Sequence, residues 1–227
     1  LGEIEPLITE TLNRYVHAGA RIEHIVTEPM QAEEHGYSGA RLERHTITFR
    51  SPAGTIQTTT LITKQASLTE RRVLSHLTMQ KQSVPFSHTL DLTTDAPAPV
   101  CQQDLRQSAG HSAPVRDVQR KVAQCLARIQ YANLGLGNEL GGLSRADRTY
   151  FEEVILADFR EQLALAMDRP TFAARHGDVA RRMEEAVEPF LGAMDSLWAR
   201  EYSRTLIHAD MMDTHVIVYE DQPYLID

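Results

Sequence analysis

Apolar and polar positions alternate with period two through His45-Thr-Ile-Thr-Phe-Arg50. A Ser51-Pro-Ala-Gly54 turn follows, and then a β-branched run, Thr55-Ile-Gln-Thr-Thr-Thr-Leu-Ile-Thr-Lys64. Alternation of this kind marks a half-buried strand, and the turn joins the two runs into an antiparallel hairpin. Residues 21–27 alternate enough for another strand, and residues 8–18 carry helical spacing that stops before Gly19. Gly36-Tyr-Ser38-Gly39 marks a turn. Ser67 is a good helix N-cap, and Leu68, Val73, Leu74 and Leu77 recur behind it at helical spacing. Two further strands are predicted over residues 88–93 and 99–105, with a turn starting at Asp95.

Residues 106–114 are small and polar, and read as a linker between two lobes. Beyond them the pattern is mainly helical. Val118, Val122, Cys125, Leu126 and Ile129 line one face, and residues 133–142 break the helix. Residues 144–167 form a long amphipathic pattern. Pro170 opens the next helix, which is expected over residues 177–200 with Pro189 bending or dividing it. Short strands return at the end. The expected organisation is therefore residues 1–105 as a β-rich lobe, 106–114 as linker and 115–227 as a helical lobe, an α+β arrangement.

A chain of 227 residues with 42% hydrophobic residues can build a real core. Its net charge of -8 argues against a non-specific nucleic-acid binder and weakly favours a cationic substrate. Cys101 and Cys125 make neither a disulfide framework nor a zinc-site spacing, which points to a reducing, cytoplasmic setting. No apolar run approaches the roughly 20 residues of a membrane span, so no membrane partner is expected. The amino terminus lacks the pattern of a signal peptide.

The chemistry concentrates in residues 205–227. A short apolar strand leads into His208-Ala-Asp210, a polar turn reaches His215, and two apolar runs end at Asp227. Asp210, at a turn after a strand, is positioned to act as a base. Asp227 ends an apolar strand, where a carboxylate is costly unless a divalent metal offsets its charge. Lys64 ends a strand of the first lobe and could reach phosphates, with Glu70 as the nearest carboxylate to pair with it. Ser38 and Gly39, in the glycine turn, could cover phosphates with hydroxyl and backbone donors. His208 is suited to orienting the loop through a hydrogen bond. His215 could ligate a metal, although Mg²⁺ prefers oxygen donors. His208, Asp210 and His215 also admit a second chemistry, the two-histidine, one-carboxylate triad of a non-haem iron oxygenase. The helicity of the chain argues against the barrel that usually carries such a triad.

These segments resemble the aminoglycoside phosphotransferase and choline kinase family, which has the protein-kinase-like fold. There the catalytic loop usually reads H-G-D-x-H-x-x-N and the metal strand ends in I-D. Here the corresponding segments are His208-Ala-Asp210-Met-Met-Asp-Thr-His215 and Leu225-Ile-Asp227. The order of glycine turn, hairpin ending in Lys64 and helix with Thr-Glu70-Arg-Arg also agrees, and Pro99-Val-Cys-Gln-Gln-Asp104 occupies the place of the adenine-contacting hinge. The resemblance implies a two-lobe kinase-like fold. It further implies ATP or GTP and Mg²⁺ as cofactors, a small-molecule hydroxyl as substrate, and Asp210 as catalytic base with His208 beside it. Asp227 and His215 would lie at the metal, and Lys64, Glu70, Ser38, Gly39, Gln102 and Gln103 at the nucleotide. Three departures stand out. His215 replaces Asn, Gln130 replaces a common His, and the chain stops at Asp227, where the family continues into further C-terminal helices. The alternative from another class is a degenerate, nucleotide-binding relative without turnover.

Overall fold

The computed structural model describes residues 4–30, 42–105, 115–136, 140–143, 145–199, 205–207, 215–220 and 222–226. The fold is α+β. The chain divides into two compact units, Leu1–Gly142 with Arg204–Asp227, and Leu143–Ser203.

The first unit is built on a five-stranded antiparallel sheet in the order β1-β2-β3-β5-β4. Helix α1 (Ile4–Thr11) runs into a π-helical turn over Leu12–Val16, and Gly19, at φ 76°, turns the chain into β1 (Arg21–Pro29). A π-turn leaves no mark on a 3.6-residue periodicity, so the sequence pattern reads as plain helix there. The predicted hairpin is β2 (Leu42–Arg50) and β3 (Ile56–Ala66), paired from Leu42 opposite Lys64 to Arg50 opposite Ile56. Gly54, at φ 84°, closes the turn, and its N–H donates to the Ser51 carbonyl at 2.8 Å.

Period two decides which side chains enter the core. His45, Ile47 and Phe49 are buried on one face of β2. There Ile47, Phe49, Leu61 and Cys101 pack with Leu7, Ile8 and Leu12 of the N-terminal helix. Burial raises the Cys101 thiol to about 12, which leaves it inert as a nucleophile. His45 sits between two threonines, with Nδ1 2.9 Å from Thr27 Oγ1 and Nε2 2.8 Å from Thr63 Oγ1.

Helix α2 (Leu68–Met79) starts where predicted: the Glu70 N–H donates to Ser67 Oγ at 3.2 Å. Arg71 is fully buried on α2 and donates from Nη2 to the Thr94 carbonyl. The strand expected over residues 88–93 is much shorter: β4 is Ser87–His88 alone. The reason is local. Asp91 Oδ1 accepts the Thr93 N–H at 2.8 Å and the Thr94 N–H at 3.0 Å, and this turn competes with a strand for the same backbone groups. The same donors hold the Asp91 carboxyl below its usual range. Strand β5 (Ala98–Gln103) returns between β3 and β4. The expected linker over residues 106–114 lies outside the described residues.

Helix α3 (Val115–Ala132) ends at Asn133, whose buried amide donates to the Ile129 carbonyl at 2.7 Å while its Oδ1 lies 2.7 Å from His76 Nε2. This polar contact ties α2 to α3. A hairpin of β6 (Val216–Tyr219) and β7 (Gln222–Leu225) completes the unit. Leu77 and Val84 form one buried cluster with Ile129 of α3 and Leu225 of β7, so the end of the chain shares a core with α2.

The second unit is helical. Asp147 caps a continuous helical stretch made of α4 (Arg148–Tyr150), a π-helical segment (Phe151–Leu156) and α5 (Ala157–Met167). The helix predicted from residue 144 starts later because Asp147 Oδ1 takes the Tyr150 N–H at 3.1 Å. Helix α6 (Pro170–Trp198) continues through Pro189 instead of dividing there. Val187 and Leu191, on either side of that proline, are buried against Leu156. Their packing offsets the roughly 3 kcal/mol that an interior proline costs. Arg148 meets Glu152 at 2.8 Å, Asp195 at 2.6 Å and Glu188 at 3.4 Å, and links α4 to α6.

Candidate functional site

Lys64 lies near the end of β3, opposite Leu42 on one side and Val100 on the other. Cross-strand partners share a face. Lys64 therefore belongs to the face opposite the one covered by α1, together with Arg44, Thr46, Thr60, Ile62 and Gln102. Its Nζ lies 2.7 Å from Glu70 Oε1. The lysine side chain is 10% exposed and the glutamate 37%, so the pair joins a half-buried cation to a half-open carboxylate. The corner between β3 and α2 makes this geometry. The strand stops at Ala66, Ser67 caps the helix, and Glu70 falls in the first turn, where the helix dipole also favours a negative charge.

The two glutamines differ. Gln102 is on the Lys64 face, and its Nε2 donates to Ser87 Oγ at 2.9 Å, which holds the amide against β4. Gln103 pairs with Leu61 and so belongs to the core face, and its backbone N–H donates to the Phe86 carbonyl at 3.0 Å. The structure brings Gln102 to the side of the sheet that carries Lys64, and turns Gln103 away from it.

Asp104 closes the hinge-like segment without a role assigned to it there, and Arg44 is not singled out by the sequence; the structure pairs them. Arg44 Nε donates to Asp104 Oδ2 at 2.8 Å from across the sheet. The Asp104 side chain is fully buried. A partial signal was present in the chain: Asp104 stands between the β5 strand and the apolar Leu105, where a buried lone carboxylate is costly.

At the other end of the unit His215 is buried at the start of β6, and its carbonyl accepts the Ile226 N–H at 3.0 Å. The Leu225 N–H donates to the Ser83 carbonyl at 2.9 Å and seats β7 on the segment after α2. Thr205 Oγ1 donates to the carbonyl of Gln130, the residue standing where a His was expected. Ser38, Gly39, His208, Asp210 and Asp227 lie outside the described residues. Among the described residues no group of three His, Cys, Asp or Glu side chains is placed to hold a metal. By donor chemistry Asp227 fits Mg²⁺, which prefers carboxylate oxygen, and the His215 imidazole does not. Among the described residues no helix is long and apolar enough to cross a membrane.

This arrangement can hold an anionic group on a half-buried ammonium whose charge is trimmed by a neighbouring carboxylate. No family model matches the chain, and no curated protein or solved structure does so either.

Proposed function

We propose that the protein is a kinase-like phosphotransferase that moves the γ-phosphoryl group of ATP or GTP to a hydroxyl of a small molecule. The observation that carries the reading is the Lys64–Glu70 pair at 2.7 Å, on a five-stranded antiparallel sheet and at the start of a helix. A lysine on the third strand paired with a helix glutamate is the arrangement by which kinases hold nucleotide phosphates. In support, α2 and the β6–β7 hairpin share one hydrophobic cluster, so the helix bearing Glu70 and the strand leading to Asp227 pack in one unit.

In this reading Lys64 binds the phosphates and Glu70 keeps its ammonium oriented. Asp210 accepts the hydrogen bond of the attacking hydroxyl and aligns it, with His208 steadying the loop. Asp227 would hold Mg²⁺, which neutralises phosphate charge when bound. Positioning and charge complementarity supply most of the acceleration. The reading implies a cytoplasmic enzyme of the aminoglycoside phosphotransferase and choline kinase type.

A second reading rests on His215. In a protein that binds nucleotide without turnover, the imidazole stands where kinases use an Asn oxygen. One experiment tests both. A thermal shift with ATP that requires Mg²⁺ and vanishes in Asp227→Asn supports a kinase-type site, and γ-phosphate transfer to a panel of hydroxyl compounds separates enzyme from binder. No shift with any nucleotide rejects both readings.

A further inference from the structure

Ser87 and Gln102 are cross-strand partners of β4 and β5, and their side chains settle one another's orientation. Ser87 Oγ donates its hydrogen to the Pro85 carbonyl at 3.1 Å. Toward Gln102 it can therefore only accept, and Gln102 Nε2 lies 2.9 Å away. The opposite setting of the amide would draw that hydroxyl hydrogen to Oε1 and take it from Pro85. Nε2 thus faces Ser87, and Oε1 is left as an acceptor. Among the described residues no group donates to Oε1. Gln102 is partly exposed, and an amide oxygen in that setting takes its donor from solvent or from a ligand.

Register places this acceptor beside the lysine. Lys64 lies opposite Val100, and Gln102 stands two residues further along β5, opposite Ile62. All four share one face, and the two rows are about 7 Å apart. In the other direction the face runs into the corner where β3 ends at Ala66 and Ser67 caps α2. A nucleotide with its phosphates on Lys64 would therefore extend its base toward Gln102, with the half-buried Ile62 as an apolar floor. The two purines differ at one place on that edge: adenine carries an amino donor where guanine carries an oxygen acceptor. We propose that Gln102, set by Ser87, reads this position of the purine and selects ATP over GTP. The inference rests on the nucleotide-binding reading and narrows it to one base. The amide oxygen accepts from the adenine amino group, whereas with guanine two acceptors face each other and neither is satisfied.

The test is calorimetric titration of the intact chain with the Mg²⁺ complexes of ATP, GTP, inosine triphosphate and tripolyphosphate. Inosine triphosphate carries oxygen in place of the adenine amino group, and tripolyphosphate has no base. The wild type should bind ATP at least about tenfold more tightly than GTP or inosine triphosphate. Gln102→Met keeps the length of the side chain and loses the acceptor. It should weaken ATP to the level of inosine triphosphate and leave tripolyphosphate unchanged. Ser87→Ala frees the amide to turn its Nε2 outward, so it should narrow the gap from the other side, by strengthening GTP and inosine triphosphate. If Gln102→Met fails to fold, Ser87→Ala decides. Equal binding of ATP and inosine triphosphate by the wild type overturns the proposal, as does an ATP preference that survives undiminished in either variant. An equal loss of tripolyphosphate binding in Gln102→Met also overturns it, because the change would then act on the phosphate site and not on the base. A wild type that binds neither nucleotide nor tripolyphosphate rejects the nucleotide reading itself, and this inference with it.

Discussion

Lys64 Nζ lies 2.7 Å from Glu70 Oε1 across the corner that joins β3 to α2. The pair is made locally, by a strand end, a serine cap and the first helical turn, so it needs no closure of distant elements. Because Glu70 is more than a third exposed, Glu70→Gln should cost the fold no more than about 1 kcal/mol. On the phosphotransferase proposal, Lys64→Ala should instead act on function, lowering kcat/KM for the proposed transfer roughly 100-fold. Steady-state kinetics beside a thermal melt checks both. A Lys64→Ala variant with full turnover would remove the lysine from the mechanism.

Arg71 is fully buried, and its Nε and Nη1 find no hydrogen-bond partner among the described residues. An isolated cation in the interior is expensive, and an apolar side chain of similar length avoids that cost. Arg71→Met should therefore stabilise the protein by about 1–2 kcal/mol, even though it removes the donor to the Thr94 carbonyl. Chemical denaturation measures this directly. A large loss of stability would mean that the guanidinium is compensated in the folded protein.

Gly141 and Gly142 both adopt positive φ, at 63° and 69°. A Cβ on Gly142 would come 2.3 Å from Thr69 Oγ1 on α2. Gly142→Ala should therefore cost about 2 kcal/mol or more, from backbone strain together with the clash. Adding Thr69→Ser leaves the hydroxyl in place and should rescue little. Adding Thr69→Gly removes the clash and should recover only part, since the strain persists. Thermal melts of the single and double variants separate the two contributions.

His45 is buried between Thr27 and Thr63. Burial lowers its pKa below 6.5, and Glu43 offsets this only in part. The unfolded chain therefore takes up the proton first as pH falls. The associated stability is fully present above pH 6.5 and is lost as pH drops through the lower, folded-state value. His88 is shifted the same way by burial. Melting temperatures measured from about pH 8 to about pH 5 should fall less steeply in His45→Gln than in the wild type, with the His88 share left over. Identical slopes would show that His45 does not couple folding to protons.

The legible parts of the fold were those written in short stretches of chain. Alternation revealed the β2–β3 hairpin, and Ser67 revealed the start of α2. The Lys64–Glu70 pair was visible for the same reason, as both residues flank one corner. Strand 88–93 was misjudged because the pattern does not reveal whether Asp91 will bind its own backbone. Pro189 suggested a bend or a division; the helix is not divided, because Val187 and Leu191 gain stabilising contacts from another helix.

Arg44 and Asp104 mark the boundary of such reading. They are sixty positions apart (|i−j| = 60), and their contact requires β3 to lie between their strands. Hydrogen-bonding periods, caps and turns are decided within a few residues, so residue order alone was enough to place them. Sheet order, the face on which Lys64 joins Arg44, and the cluster uniting α2 with β7 depend on distant segments burying apolar surface against one another. That choice is made by packing of the whole unit, which no local pattern encodes.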